Sequence, residues 1–329
     1  VQGEAPTNMN GALALHSAGS IDLAAANAYL GAQARQAGGM VRMNVDLRGT
    51  PKVPLVSGTL DLSDGTFHDY AQGVQLSAIR GSVLAQGNRL VIQSLSAGAG
   101  KGTIMAAGSY GIFEPGHPID VTITARNARP LASDLITATL DANLNIKGQL
   151  ASRINAGGDI TLSRVDVNIP DSLPTSVAHL DVIRPEDAAT VAQQPTSPLI
   201  IGLDLGLRSP GQFFVRGHGL NTEMHGNLHL GGTSDAPIVT GSFSMAKGTF
   251  ALGGISLNFS KGKVGFDGIG VTHTIDPSLD FVAERSTNEG TARLNVGGYA
   301  SAPKITFSST PPLSQDQILA ILLFGTDSQ

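Results

Sequence analysis

HLGGTSDAPIVTG, residues 229–241, decides how this chain is read. His229 and Leu230 close a run in which polar and apolar residues alternate. Two glycines and a short polar stretch follow, and Pro237 opens a second apolar run. Glycine tolerates the positive φ of a tight turn, and proline, which lacks an N–H, suits the first residue of a strand. The stretch therefore reads as a β-hairpin. The same device recurs in DLRGTPKVPLVSG (46–58), NIKGQLASRINAGG (145–158) and NVGGYASAPKITF (295–307).

The surrounding chain alternates with period 2. VRMNVDL (41–47), IDVTIT (119–124), LDANLNI (140–146), LIIGLDLGL (199–207), ISLNF (255–259) and ARLNV (292–296) each put apolar residues on one face of an extended strand. A larger unit also repeats. PLVSGTLDLSDGTF (54–67) matches PIVTGSFSMAKGTF (237–250) at a constant offset, with GTF read as a turn in each. Repetition of one supersecondary unit predicts an elongated, stacked β-architecture, and the irregular spacing disfavours a strict β-helix.

Composition agrees. The chain has 329 residues, 41 of them glycine, and only 14% are charged, against roughly 25% in an ordinary globular protein. It has no cysteine, which removes disulfides and thiolate chemistry. A net charge of −5 argues against nucleic acid as a partner. No apolar run reaches the roughly 20 residues of a spanning helix.

Two helices are expected. One is the Ala-rich 21–39, stopped by Gly38-Gly39. The other is PPLSQDQILAILLFG (311–325), with Ser314 and Gln317 forming a capping box and Gly325 as its stop. Residues 170–198 hold several prolines without alternation and read as an exposed insertion. They divide the chain into a repetitive β-segment with the Ala-rich helix, 1–169, and a C-terminal β-domain, 199–329.

Candidate chemical motifs are weak. GAGKGT (98–103) has Gly102 where a phosphate loop needs Ser or Thr, so it reads as a hairpin tip. His225 and His229 share a strand face but stand about 13 Å apart, too far for one metal ion. Asp276 and Asp280 are separated similarly and suit a turn better than acid–base catalysis. The chain reads as a non-enzyme without cofactor or metal.

What remains is an apolar stripe: Leu228, Leu230, Phe243, Met245, Phe250, Ile255, Leu257, Phe259, Val264, Phe266, Leu279, Phe281, Leu294, Val296, Ile305 and Phe307. It fits either the core of a β-sandwich or an open greasy groove, and periodicity alone leaves both standing.

Residues 211–268, DPSLDFVAE (276–284) and ASAPKITFSSTPPLSQDQILAILLFG (300–325) resemble the C-terminal domain of the TamB (AsmA-like) family. The carrying motifs are VRGHGL, GTF, DPSLD and STPPLSQDQILAILLFG. The resemblance implies a long bent β-sheet groove, or β-taco, with an apolar interior and short helices. It also implies a periplasmic location and an inner-membrane anchor that lies outside this chain. The implied partners are phospholipid, a TamA-like outer-membrane barrel and nascent outer-membrane proteins. Two functions follow as expectations: conducting phospholipid acyl chains between the membranes, or scaffolding the assembly of outer-membrane barrels and autotransporters by strand augmentation. Ile318, Ile321, Leu322 and Phe324 of the last helix are then candidates for the partner-facing end, with TDSQ (326–329) reading as a boundary.

Overall fold

The computed structural model describes residues 2–169, 199–252, 254–268, 276–288 and 290–325. Ten strands precede the gap at 170–198: β1 (Gln2–Glu4), β2 (Leu13–Asp22), β3 (Arg35–Thr50), β4 (Val53–Asp69), β5 (Val74–Gly87), β6 (Arg89–Ala99), β7 (Gly102–Tyr110), β8 (Pro118–Ala132), β9 (Ile136–Gln149) and β10 (Arg153–Asn168). Seven follow it: β11 (Ile200–Gly217), β12 (Leu220–Gly232), β13 (Pro237–Leu252), β14 (Ile255–Asp267), β15 (Ser278–Thr287), β16 (Gly290–Tyr299) and β17 (Ala302–Thr310). The helices are α1 (Asn27–Leu30), between β2 and β3, and α2 (Gln315–Phe324), after β17.

All 17 strands form one curved sheet. Each strand pairs antiparallel with the next, with one exception: β10 and β11 run parallel. The proline-rich stretch 170–198, between those two strands, lies outside the described residues. The four hairpins read from the sequence all form, closing at Thr50↔Val53, Gln149↔Arg153, Gly232↔Pro237 and Tyr299↔Ala302. Followed through the registers, all four turns fall at one end of the sheet. Both helices fall at the other end.

A line of bulges bends the sheet. Register shifts occur near Gly38/Met40, Leu62/Gly65, Ser77/Arg80, Ala125/Ala128, Leu162/Arg164, Ser209/Phe213 and Phe259/Lys261. Asp64, Ala78, Asn127 and Gln212 take positive φ on this line. A bulge adds a residue to one strand, so the strand kinks and its twist increases. The backbone donors freed there find carboxylates on the next strand. The Asn127 N–H donates to Asp141 Oδ1 (2.8 Å), and the Gln212 N–H to Glu223 Oε1 (3.3 Å).

Two expectations are corrected. The helix over 21–39 is only a short 3₁₀–α–3₁₀ turn across residues 23–33. Ala34 is left-handed (φ 55°), and the chain from Arg35 to Gly38 and again from Met40 pairs with β4 instead, with Gly39 as the bulge between. Cross-strand hydrogen bonds outweigh the helix propensity of a few alanines, since a turn or two of isolated helix is marginal. The GTF motifs are not turns either. Both lie inside long strands, at the bulge line of β4 and near that of β13.

Close strand contact depends on glycine at selected positions. At Gly158 φ is +128°, and a Cβ would stand 2.1 Å from the Asn143 carbonyl oxygen of β9. Gly158→Ala should therefore cost about 1–3 kcal/mol in urea unfolding. Gly19→Ala on β2, where a Cβ meets nothing within 4 Å, should stay within about 0.5 kcal/mol.

Candidate functional site

One face of the sheet forms an apolar trough. No second sheet packs on it among the described residues, so most of its side chains are half-buried, unlike those of a sandwich core. In the C-terminal half it holds a cavity of about 740 Å³. Phe250, Phe259, Val264, Leu279, Phe281, Leu294, Val296 and Ile305 line it. No Asp, Glu, Lys or Arg side chain does.

The rest of the apolar stripe divides between packing and the far end of the face. Leu257 is fully buried, and Ile255 and Phe307 pack beside it. Phe243 packs against Phe213 with ring centroids 4.9 Å apart and the rings tilted by 42°. Met245 stands opposite Met224. Leu228 and Leu230 stand opposite Leu207 and Leu205, and Phe266 opposite Gly241, all outside the cavity.

The sequence reading missed several lining residues. Val215, His218, Leu220, Thr222 and Met224 also line the cavity, and Val215 stands where the alternation of β11 resumes after its bulge. A second apolar cavity of about 400 Å³ lies in the N-terminal half, between Leu62, Leu76, Ile79, Leu95, Ile104 and Ile123. The alternating pattern was visible there. The bulges shift its phase, so individual inward residues could not be counted off.

Helix α2 closes the trough at one end, over β14 to β17. Ser314 and Gln317 form the capping box, and Gly325 (φ 72°) ends the helix. Ile318, Ile321 and Leu322 are buried against Leu257, Ala283, Ala292 and Leu294. Arg285, on the inner face of β15, donates from Nη1 to the Leu322 carbonyl (3.4 Å). A cation there satisfies a terminal carbonyl and complements the helix dipole. Phe324 points away, 73% exposed, whereas Ile321 is 0% exposed.

The outer face is polar. Asp166 accepts from Arg164 Nε and Arg216 Nη1, both at 2.8 Å, and both guanidiniums lie over the Phe214 ring. Glu223 pairs with Lys247 at 3.0 Å. His229 lies 3.5 Å from Asp204. Asp276 accepts from the Ser301 N–H (2.9 Å) and hydroxyl, which ties the start of β15 to the β16–β17 turn. Among the described residues no three His, Asp or Glu side chains converge as a metal site, and no helix is long and apolar enough to cross a membrane.

The fold and trough define a class: a single curved sheet with a polar outer face and an apolar inner one. Within that class the chain belongs to the TamB family, because residues 93–329 match the family's TamB C-terminal domain. It is 26% identical over 196 residues to the translocation and assembly module subunit TamB of Haemophilus influenzae. That match takes in 56% of this chain but only 15% of the relative's length, so the chain spans a small part of the relative it matches.

Two outcomes test these assignments. Ile321→Ala should cost about 2–5 kcal/mol, since it empties a fully packed site, while Phe324→Ala should stay within about 0.5 kcal/mol. Both are read by urea unfolding. The second outcome concerns pH. The hydrogen bond from Arg164 is the largest influence on the Asp166 carboxyl; burial opposes it, and the hydrogen bond from Arg216 together with the charge of both arginines leaves the carboxyl below its ordinary range. A carboxylate with a depressed folded pKa stabilises the fold above its unfolded pKa, and that stability is lost as pH falls through the folded value. Urea midpoints should thus decline as pH drops below about 4, and Asp166→Asn should flatten that decline.

Proposed function

We propose that this segment is a stretch of periplasmic conduit whose trough carries phospholipid acyl chains between the inner and outer membranes. The carrying observation is the half-buried apolar face, with no charged side chain lining its larger cavity. Burying a methylene is worth about 0.8 kcal/mol, so a sixteen-carbon chain crossing water unshielded would forgo about 12 kcal/mol. A trough of Leu, Val, Ile and Phe keeps the chain out of water at every step, with no single deep trap.

In this reading the parent protein is anchored in the inner membrane and works with a TamA-like outer-membrane barrel. The chain divides functionally at 170–198, and the end bearing α2 is the partner-facing one, with Phe324 as its exposed apolar contact. The protein performs no catalysis and takes no cofactor.

A second reading has its own observation. Among the described residues β17 pairs only with β16, so one edge of its backbone is unmatched. That edge suits strand augmentation of a nascent outer-membrane protein.

Photo-reactive residues in cells separate the two. At Phe281 and Val296, inside the trough, crosslinks to lipid are expected. At His225 and Asn227, on the outer face, none are. Absence of lipid at every inner position, with capture of barrel proteins from Lys304 or Thr306 on β17, would replace the conduit by the scaffold.

A further inference from the structure

The β13–β14 ladder is interrupted where the bulge line crosses it, as the β10–β11 ladder is between Thr161/Arg208 and Val165/Phe213. Strands β13 and β14 pair through Thr240–Ser244 with Lys263–Asp267, and again through Thr249–Leu252 with Ile255–Asn258. Between these runs, residues 245–248 and 259–262 form no pair with each other, although each strand keeps its other neighbour. The interruption is four residues long on each side, or about 13 Å. Small residues lie within it, Ala246, Gly248, Ser260 and Gly262, and the side chains of Met245 and Phe259 occupy the space beside the two glycines: a Cβ on Gly262 would stand 2.9 Å from Met245 Cβ, and one on Gly248 3.2 Å from Phe259 Cδ2.

Cavities lie on both faces of this interruption. The outer one, of about 530 Å³, includes Arg216, Asn221, Lys247 and Asn258. The inner one is the large apolar cavity. Phe259 lines both. With Arg164, Arg216 and Lys247 against Asp166 and Glu223, the outer cluster carries one positive charge in excess.

A second observation points to a ligand. Thr222 is 2% exposed, lines the inner cavity, and stands opposite Gly248 in the ladder beside the interruption. Its hydroxyl oxygen has no hydrogen-bond partner. A buried hydroxyl left unpaired is costly, and such groups in native proteins are few.

We propose that the interruption is a side port for an anionic amphiphile such as a phospholipid. Its phosphate-bearing head sits in the outer cavity on Lys247 and Arg216. Its acyl chain lies in the trough past Phe259, and Thr222 donates to an ester carbonyl at the junction. The inference rests on the conduit reading and adds where the head group leaves the apolar face.

Binding of three probes to the purified chain tests it: palmitoyl lysophosphatidate, monopalmitoylglycerol and inorganic phosphate. The wild type should prefer lysophosphatidate over monopalmitoylglycerol about tenfold, the worth of one charge-assisted hydrogen bond, and salt should weaken that preference. Lys247→Gln with Arg216→Gln should bring the two lipids to parity. A double variant that keeps the preference, or a wild type that never shows it, overturns the port while monopalmitoylglycerol binding leaves the conduit standing. Inorganic phosphate competing as well as the lipid also overturns the port and reduces it to a free-anion site. Failure of monopalmitoylglycerol to bind the wild type removes the conduit, and the port with it. Thr222→Val gives a separate reading. It should raise the unfolding midpoint of the empty protein, and it should erase a preference for ester-linked over ether-linked lysophosphatidate. Retention of that preference in Thr222→Val removes the hydroxyl from the port.

Discussion

Every described strand hydrogen-bonds to its neighbour along the chain, and all of them lie in one sheet. That continuity constrains everything else. A single sheet has one apolar face and no second sheet to cover it. It can shelter that face only by bending around it or by laying a helix over it. The protein does both. Bulges on a line across many strands supply the bend, and α2 supplies the lid at one end.

The two devices act differently on the apolar side chains. Where α2 lies, Leu257, Ala283, Ala292 and Leu294 reach full or near-full burial and form a small conventional core. At the margin of that core Phe259 and Val296, and beyond it Phe281, stay half-buried beside open cavity space. The stabilising contacts are therefore concentrated at the closed end and at small-residue clusters such as Ala99, Ala125 and Ala128. The stretches between them keep the lining uniform and uncharged.

Local chemistry was legible wherever it acts over a few residues. Glycine marked all four hairpins, and a proline near the start of the returning strand marked three of them, because φ and the missing proline N–H are properties of single residues. The Ser314/Gln317 box and Gly325 stop were legible for the same reason. The Ala-rich stretch misled because its fate was decided by β4, whose backbone groups pair with Arg35 onward. The GTF repeat misled similarly: what looks like a turn in isolation is strand once its neighbours on both sides are paired.

The sequence by itself determined a β-rich chain of hairpins with one polar and one apolar face and a capped helix at 315–324, since alternation, turns and caps are read over a few residues. Only the tertiary structure decided that the apolar face stays a trough, that α2 buries Ile321 and leaves Phe324 outside, and that the β13–β14 ladder is interrupted near Gly248 and Gly262. Those outcomes depend on which backbone groups find partners on strands far along the chain. A bulge slides that register by a residue or more, and nothing in the local pattern records the slip.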